Sequence, residues 1–253
     1  MKNIIPVISI SFIIISVIIV YSFVYFGIYS RPHLLIGNGI PIEASENVVV
    51  VQAFDEKYGK KIGFVTMKHN EKWCTKNGYS YKYYAKTSPA GEVPHFMRYR
   101  AILEILNDNR EALVVYVDGD AILSYSKQKL IMCENADITF GNEFPHMNHW
   151  RFVTGSSPVN SGYIVVKNTE LSKRFLEKVL SSKTCDECRK FGCGKLKFKD
   201  QGCLDRLMSS EPRGVIDRFK IADVQSRKPG KLLIHVAGSR KYDNLKTWIE
   251  EKK

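Results

Sequence analysis

The chain has 253 residues, 38 Lys and Arg against 26 Asp and Glu, a net charge of +12, and 44% hydrophobic residues. The positive balance suits anionic partners such as phosphate, nucleic acid or acidic lipid. No helix-turn-helix, RNA-recognition or basic-zipper signature accompanies it, so nucleic acid is not an expected partner and most of the lysines read as a solvated surface.

From Ile4 to Ile28 there are twenty-five residues without a charge, rich in Ile, Val, Phe and Tyr. That length crosses about 30 Å of hydrocarbon as a helix. The run is too long for the apolar core of a usual signal peptide, and no small-x-small cleavage site follows it. Residues 1–30 therefore read as a short tail and a transmembrane anchor. The expected arrangement is a type II single-pass protein with its domain in the Golgi or ER lumen. Residues 31–46, with two prolines, two glycines and no periodicity, read as a stem. Residues 47–253 are long enough for one domain with a full-sized core, and they carry no internal repeat.

Within the domain, NVVVVQAF (47–54) predicts a buried strand that stops at Asp55. A helix is expected within 56–77, with Gly78 as its C-terminal cap. YSYKYYA (79–85) alternates like a strand, HFMRYRAILEILND (95–108) has helical spacing, and LVVYV (113–117) is another buried strand. Strand, helix, strand, helix, strand predicts an α/β domain with a largely parallel sheet. Further on, ADITFGNEF (136–144) and GYIVVKN (162–168) read as strands, LSKRFLEKVLSS (171–182) as an amphipathic helix, and KLLIHVAGS (231–239) as a last strand. Four of the six cysteines cluster at Cys185, Cys188, Cys193 and Cys203. They suit two disulfides in an oxidising lumen or a zinc site in a reducing compartment. Cys74 and Cys133 are then a third pair or two buried thiols.

In α/β sheets ligands bind beyond the carboxyl ends of strands. Asp55 stands at one such end, and Asp118 and Asp120 crowd another, separated by one glycine. Two like charges there are costly unless a cation neutralises them. Hard oxygen ligands in this arrangement suit Mg²⁺ or Mn²⁺, with a diphosphate completing the coordination. The competing structural reading is a turn or cap made by the two aspartates.

YVDGDAIL resembles the DxD strand of GT-A-fold glycosyltransferases, which use nucleotide sugars. HVAGSRK (235–241) is similar to the His-x-x-Gly-x-x-Lys motif of the glycogenin and bacterial galactosyltransferase family. KWCTKNGYSYKYY (72–84) and VNSGYIVVKN (159–168) more closely resemble the yeast galactosyl- and mannosyltransferases and the plant xylosyltransferases. The resemblance implies a GT-A fold: a Rossmann-like, mixed and largely parallel sheet flanked by helices. It implies a UDP-sugar donor, Mn²⁺ or Mg²⁺ as cofactor, a glycan or glycoprotein acceptor, and retention of anomeric configuration. It also implies His235 as a third metal ligand beside Asp118 and Asp120, with Gly238 and Lys241 at the diphosphate. Where related chains often carry a Lys before the DxD strand, HFMRYR offers Arg98, the preferred phosphate ligand, and Arg100; the competing reading is a surface residue of the helix. Asp200 falls where an acidic residue is expected near the transferring sugar, or caps the helix before CLDRLM. Asn160 contacts the sugar or simply forms the NSG turn. The rival readings are a metal-dependent nucleotidyltransferase or phosphohydrolase, and an inactive transferase-like membrane protein that binds glycans.

Overall fold

A computed structural model describes residues 37–85, 94–108, 112–124, 128–142, 159–182, 203–204, 207–208, 210–226, 231–236 and 242–250, together with Ser16. Apart from Ser16, the expected anchor lies outside these residues, as do Cys185, Cys188, Cys193, Asp200, Gly238 and Lys241. Among the described residues, no helix is long and apolar enough to cross a membrane.

The expected elements of the first half form. Strand β2 (Val48–Ala53) is buried at every position because its valines feed both faces of the sheet. Full burial of a valine is worth about 1.5–3 kcal/mol, enough to hold a strand whose neighbour ends in carboxylates. After β2 come a three-residue helical turn, α1 (Glu56–Tyr58), a π-helical turn (Gly59–Gly63) and helix α2 (Phe64–Asn77). Gly78 closes α2 in the left-handed conformation at φ 75° and donates its N–H to the last turn, as its place after the helix predicts. Strand β3 (Ser80–Tyr84), helix α3 (Met97–Asp108) and strand β4 (Leu113–Val117) follow.

The chain contains more short strands than its pattern suggests. Ahead of β2 lies β1 (Gly39–Pro41), inside the segment read as a stem, and it pairs antiparallel with β6 (Ile131–Cys133). Next in order are β5 (Ala121–Leu123), β7 (Ile138–Asn142), β8 (Val159–Lys167) and helix α4 (Glu170–Ser182). The chain then forms the short helix α5 (Arg213–Ile216), β9 (Phe219–Ala222), β10 (Gln225–Ser226), β11 (Leu233–His235) and helix α6 (Tyr242–Glu250).

Six strands make the main sheet in the order β3-β2-β4-β8-β7-β9. Three of its five pairings are parallel, and β8 runs antiparallel to both β4 and β7. The sheet is therefore mixed and mostly parallel. One face packs on α3 and α4 through Val114, Tyr116, Ile102 and Phe175. The other packs on α2 and the shorter strands through Val115, Val117, Trp73 and Leu123. Cys74 and Cys133 are two buried free thiols in this second core, not a disulfide. Cys203 is buried in the first. A small second sheet, β10-β11-β5, stands beyond the end of β4.

Candidate active site

The DGD turn links the two sheets. At the end of β4 the chain turns within three residues, with Ala121 N donating to Asp118 O at 3.1 Å, and at once begins β5. The glycine between the aspartates answers to space rather than to backbone angle. A Cβ on Gly119 would stand 2.8 Å from the Tyr58 ring and 3.0 Å from Phe54. Strand β11 lies antiparallel to β5 with Ala121 opposite His235, and Val236 N donates to Asp120 O at 3.1 Å. This register carries His235 across 115 residues of sequence to Nε2···Oδ1 3.1 Å from Asp120 and Nε2···Oδ2 3.6 Å from Asp118.

Asp118, Asp120 and His235 thus offer two carboxylate oxygens and an imidazole nitrogen, all within 4.8 Å of one another. Asp120 and His235 are buried, and Asp118 is 22% exposed at its side chain. The donor set fits a hard or borderline divalent cation with room for oxygen ligands from a substrate.

The carboxylate of Asp118 is fixed from two sides. Its Oδ1 accepts from the Tyr116 hydroxyl and from Gly119 N, each at 3.0 Å. Its Oδ2 faces the Arg98 guanidinium at 3.6 Å. Arg98 is buried in α3, donating Nη1–H to Ser161 O and Oγ at 2.7 Å and Nε–H to His95 O at 3.0 Å, and its guanidinium lies 5.2 Å from the Tyr116 ring centroid. Burial pushes the Asp118 carboxyl up, but Arg98, His235, His95 and the Tyr116 hydroxyl outweigh it and hold the group below the usual carboxylate range. For His235, burial pushes the imidazolium down. The charge and hydrogen bond of Asp120, with Asp118 behind it, more than reverse this against Arg98, so the ring titrates above an ordinary histidine.

A cation needs neutral His235, so protons compete with it below the raised pKa, while Asp118 stays ionised throughout that window. Mn²⁺ affinity should fall about tenfold per pH unit below the His235 pKa, as one displaced proton requires. Above that pKa it should level off. Calorimetry across a pH series checks this, and His235→Ala should flatten the slope. Without metal the direction reverses: the His235–Asp120 pair stabilises the fold below the unfolded histidine pKa, and this is lost as pH rises through the folded one.

Asn160 belongs to β8 rather than to a turn before it. The β7–β8 register shifts between Phe140 and Gly141, which pair with Ile164 and Asn160, so Ser161, Gly162 and Tyr163 face the site end without partners on β7. Asn160 Oδ1 accepts from Gly162 N at 2.7 Å, and Gly162 O accepts from Asp118 N at 2.9 Å. Gly162 leaves room for the His235 ring, since a Cβ there would lie 2.4 Å from Cε1. Asp55 caps α1, accepting from Tyr58 N at 2.7 Å. Tyr116, Ser161 and Gly162 were not singled out by sequence. The YxD spacing, which lets a strand residue's hydroxyl reach the carboxylate two positions on, was the available signal for Tyr116.

No protein-family model matches the chain, and no curated protein matches its sequence. Solved structures do match. A glycosyltransferase involved in the glycosylation of the major capsid of PBCV-1 superposes with a TM-score of 0.55 at 16% identity, over 79% of this chain and 98% of that one. The chain has a glycosyltransferase fold. The galactosyltransferase LgtC, in complex with donor and acceptor sugar analogs, is 10% identical with a TM-score of 0.45, covering 79% and 95% of the two chains. The glycosyltransferase GlyE of Streptococcus pneumoniae TIGR4 is 13% identical with a TM-score of 0.44, covering 82% and 63%. In this glycosyltransferase fold, the mixed sheet delivers the DGD turn and His235 to one point.

Proposed function

We propose that the chain is a metal-dependent glycosyltransferase that moves a hexose or pentose from a nucleotide sugar, a UDP-sugar, to a glycan or glycoprotein acceptor. The convergence of Asp118, Asp120 and His235 within 4.8 Å carries the reading. Held by these three side chains, Mn²⁺ or Mg²⁺ would supply positive charge against a diphosphate leaving group. The chain's own residues keep that site ready. Tyr116, Gly119 N and Arg98 fix the Asp118 carboxylate, and the β5–β11 ladder fixes His235. Burial of Asp120 and His235 limits water at the ligands and strengthens their electrostatics. Lys241 and Gly238 are assigned to the diphosphate, and Asp200 and Asn160 to the transferring sugar, on the family resemblance alone. The same resemblance supports retention of configuration. The apolar run 4–28 supports a type II anchor and a luminal Golgi or ER domain.

Incubation with a panel of radiolabelled nucleotide sugars and Mn²⁺ tests the reading. The expected result is release of UDP and labelled sugar from one UDP-sugar, abolished by chelation. Consumption of nucleoside triphosphates with every nucleotide sugar left intact would replace it with the nucleotidyltransferase or phosphohydrolase alternative.

A further inference from the structure

The backbone around the two aspartates is gripped by side chains from elements that hold no metal ligand. Gln52, fully buried in β2, donates Nε2–H to Asp118 O at 3.0 Å, and its Oε1 accepts from the Tyr81 hydroxyl of β3 at 2.7 Å. Thr66, fully buried in α2, has its Oγ1 2.7 Å from Gly119 O and 2.9 Å from Gly63 O, so its one hydroxyl hydrogen is shared between two carbonyls.

One turn further along α2, Asn70 donates Nδ2–H to Ala121 O at 3.0 Å and accepts from Leu123 N at 2.8 Å. A side-chain amide bonded to a carbonyl and to an N–H two residues on does what a peptide group in a neighbouring strand does. Among the described residues, strand β5 pairs with β11 on one side, and its other edge is served by α2 in place of a strand. His69 Nε2 at 2.7 Å from Leu123 O and Trp73 Nε1 donating to Ser124 O at 2.6 Å continue the contact.

We propose that Gln52, Thr66 and Asn70 are positioning residues that aim Asp118 and Asp120 at the point His235 reaches. The inference rests on the metal reading above. The carbonyls they bond belong to Asp118 itself and to Gly119 and Ala121 on either side of Asp120, so losing one donor lets the turn rotate and moves a ligand oxygen, not merely a remote strand. Supporting hydrogen bonds behind metal ligands commonly carry about 10- to 100-fold in metal affinity.

The test measures Mn²⁺ dissociation constants by calorimetry and melting by circular dichroism, for the parent and three variants. Thr66→Val keeps the shape and removes the donor; its Mn²⁺ affinity should fall by about tenfold or more. Thr66→Ser restores the hydroxyl and should stay within about threefold of the parent. Thr139→Val is the control, because the fully buried Thr139 also serves a backbone group, Cys133 N at 3.0 Å, but away from the aspartates. It should lower the melting temperature and leave Mn²⁺ affinity unchanged. Should Thr66→Val fail to fold, Gln52→Met examines the neighbouring carbonyl with the same expectation. Parent-like Mn²⁺ affinity in the donor-less variant overturns the inference, as does an equal loss in Thr139→Val. A parent protein that binds no Mn²⁺ overturns the metal reading and takes this inference with it.

Discussion

Asp118→Asn and Asp120→Asn should each abolish measurable Mn²⁺ binding and sugar transfer while leaving the fold intact. Each keeps the side-chain shape and removes one of two anionic ligands, and neither carboxylate packs the core. Their effects on the metal-free protein should differ. Asp118 is the counter-charge 3.6 Å from buried Arg98, so Asp118→Asn removes that charge from beside the guanidinium. That should cost about 1–3 kcal/mol of stability. Asp120→Asn removes the main charge that lifts the His235 pKa, so the imidazole should titrate lower by NMR. Unaltered turnover by both purified variants would sink the metal assignment.

The second large effect is expected at a residue with no functional group. In Gly162→Ala the new methyl would stand 2.4 Å from His235 Cε1, 2.6 Å from Nδ1 and 2.8 Å from Asn160 Oδ1. At Gly162 the backbone of β8 is tied on both sides, its O accepting from Asp118 N at 2.9 Å and its N donating to Asn160 Oδ1 at 2.7 Å, so it cannot easily retreat. The ring must move, and Mn²⁺ affinity should fall about 10- to 100-fold. Overpacking of this kind costs about 1–3 kcal/mol. Because the clash is with the imidazole, most of that cost should vanish when Gly162→Ala is combined with His235→Ala. A double-mutant cycle on thermal unfolding and calorimetry measures it. Additive losses would mean that Gly162 serves the β8 backbone and not the histidine.

Where side-chain pattern and structure coincide, the sequence was readable. Val48–Val51 and Leu113–Val117 lie on strands buried on both faces, so their apolar runs give strand and position together. The DGD turn and His235 were visible because their residue types and offsets match metal-binding chemistry, and the fold brings the three side chains within 4.8 Å of one another. Strands β1, β5 and β6, three residues each, were not visible, since three residues contain no period to detect. Strand β8 begins three residues before the expected Gly162 because Asn160 and Ser161 look like a turn, and the shifted register on β7 brings Val159 and Asn160 into the sheet. Helix α6 did carry a signal, with Tyr242, Leu245 and Ile249 at helical spacing and the last two buried. Gln52, Thr66 and Asn70 could not be found by type, because bonds to main-chain carbonyls select no particular sequence at the far end.

The pairing of Ala121 with His235 also bears on how the molecule is made. Closing so long a loop is entropically expensive and slow compared with local contacts. While a ribosome is still synthesising the segment before residue 235, the nascent chain already holds both aspartates but lacks the imidazole. Strand β5 then has one bare edge, and the two carboxylates face each other without their third partner. A chain cut short between the end of β8 at Lys167 and residue 235 could complete five of the six main-sheet strands and still have no three-ligand centre. Metal capture would therefore report that synthesis had reached the far strand, and pulse-labelled nascent chains of increasing length should gain Mn²⁺ affinity in one late step.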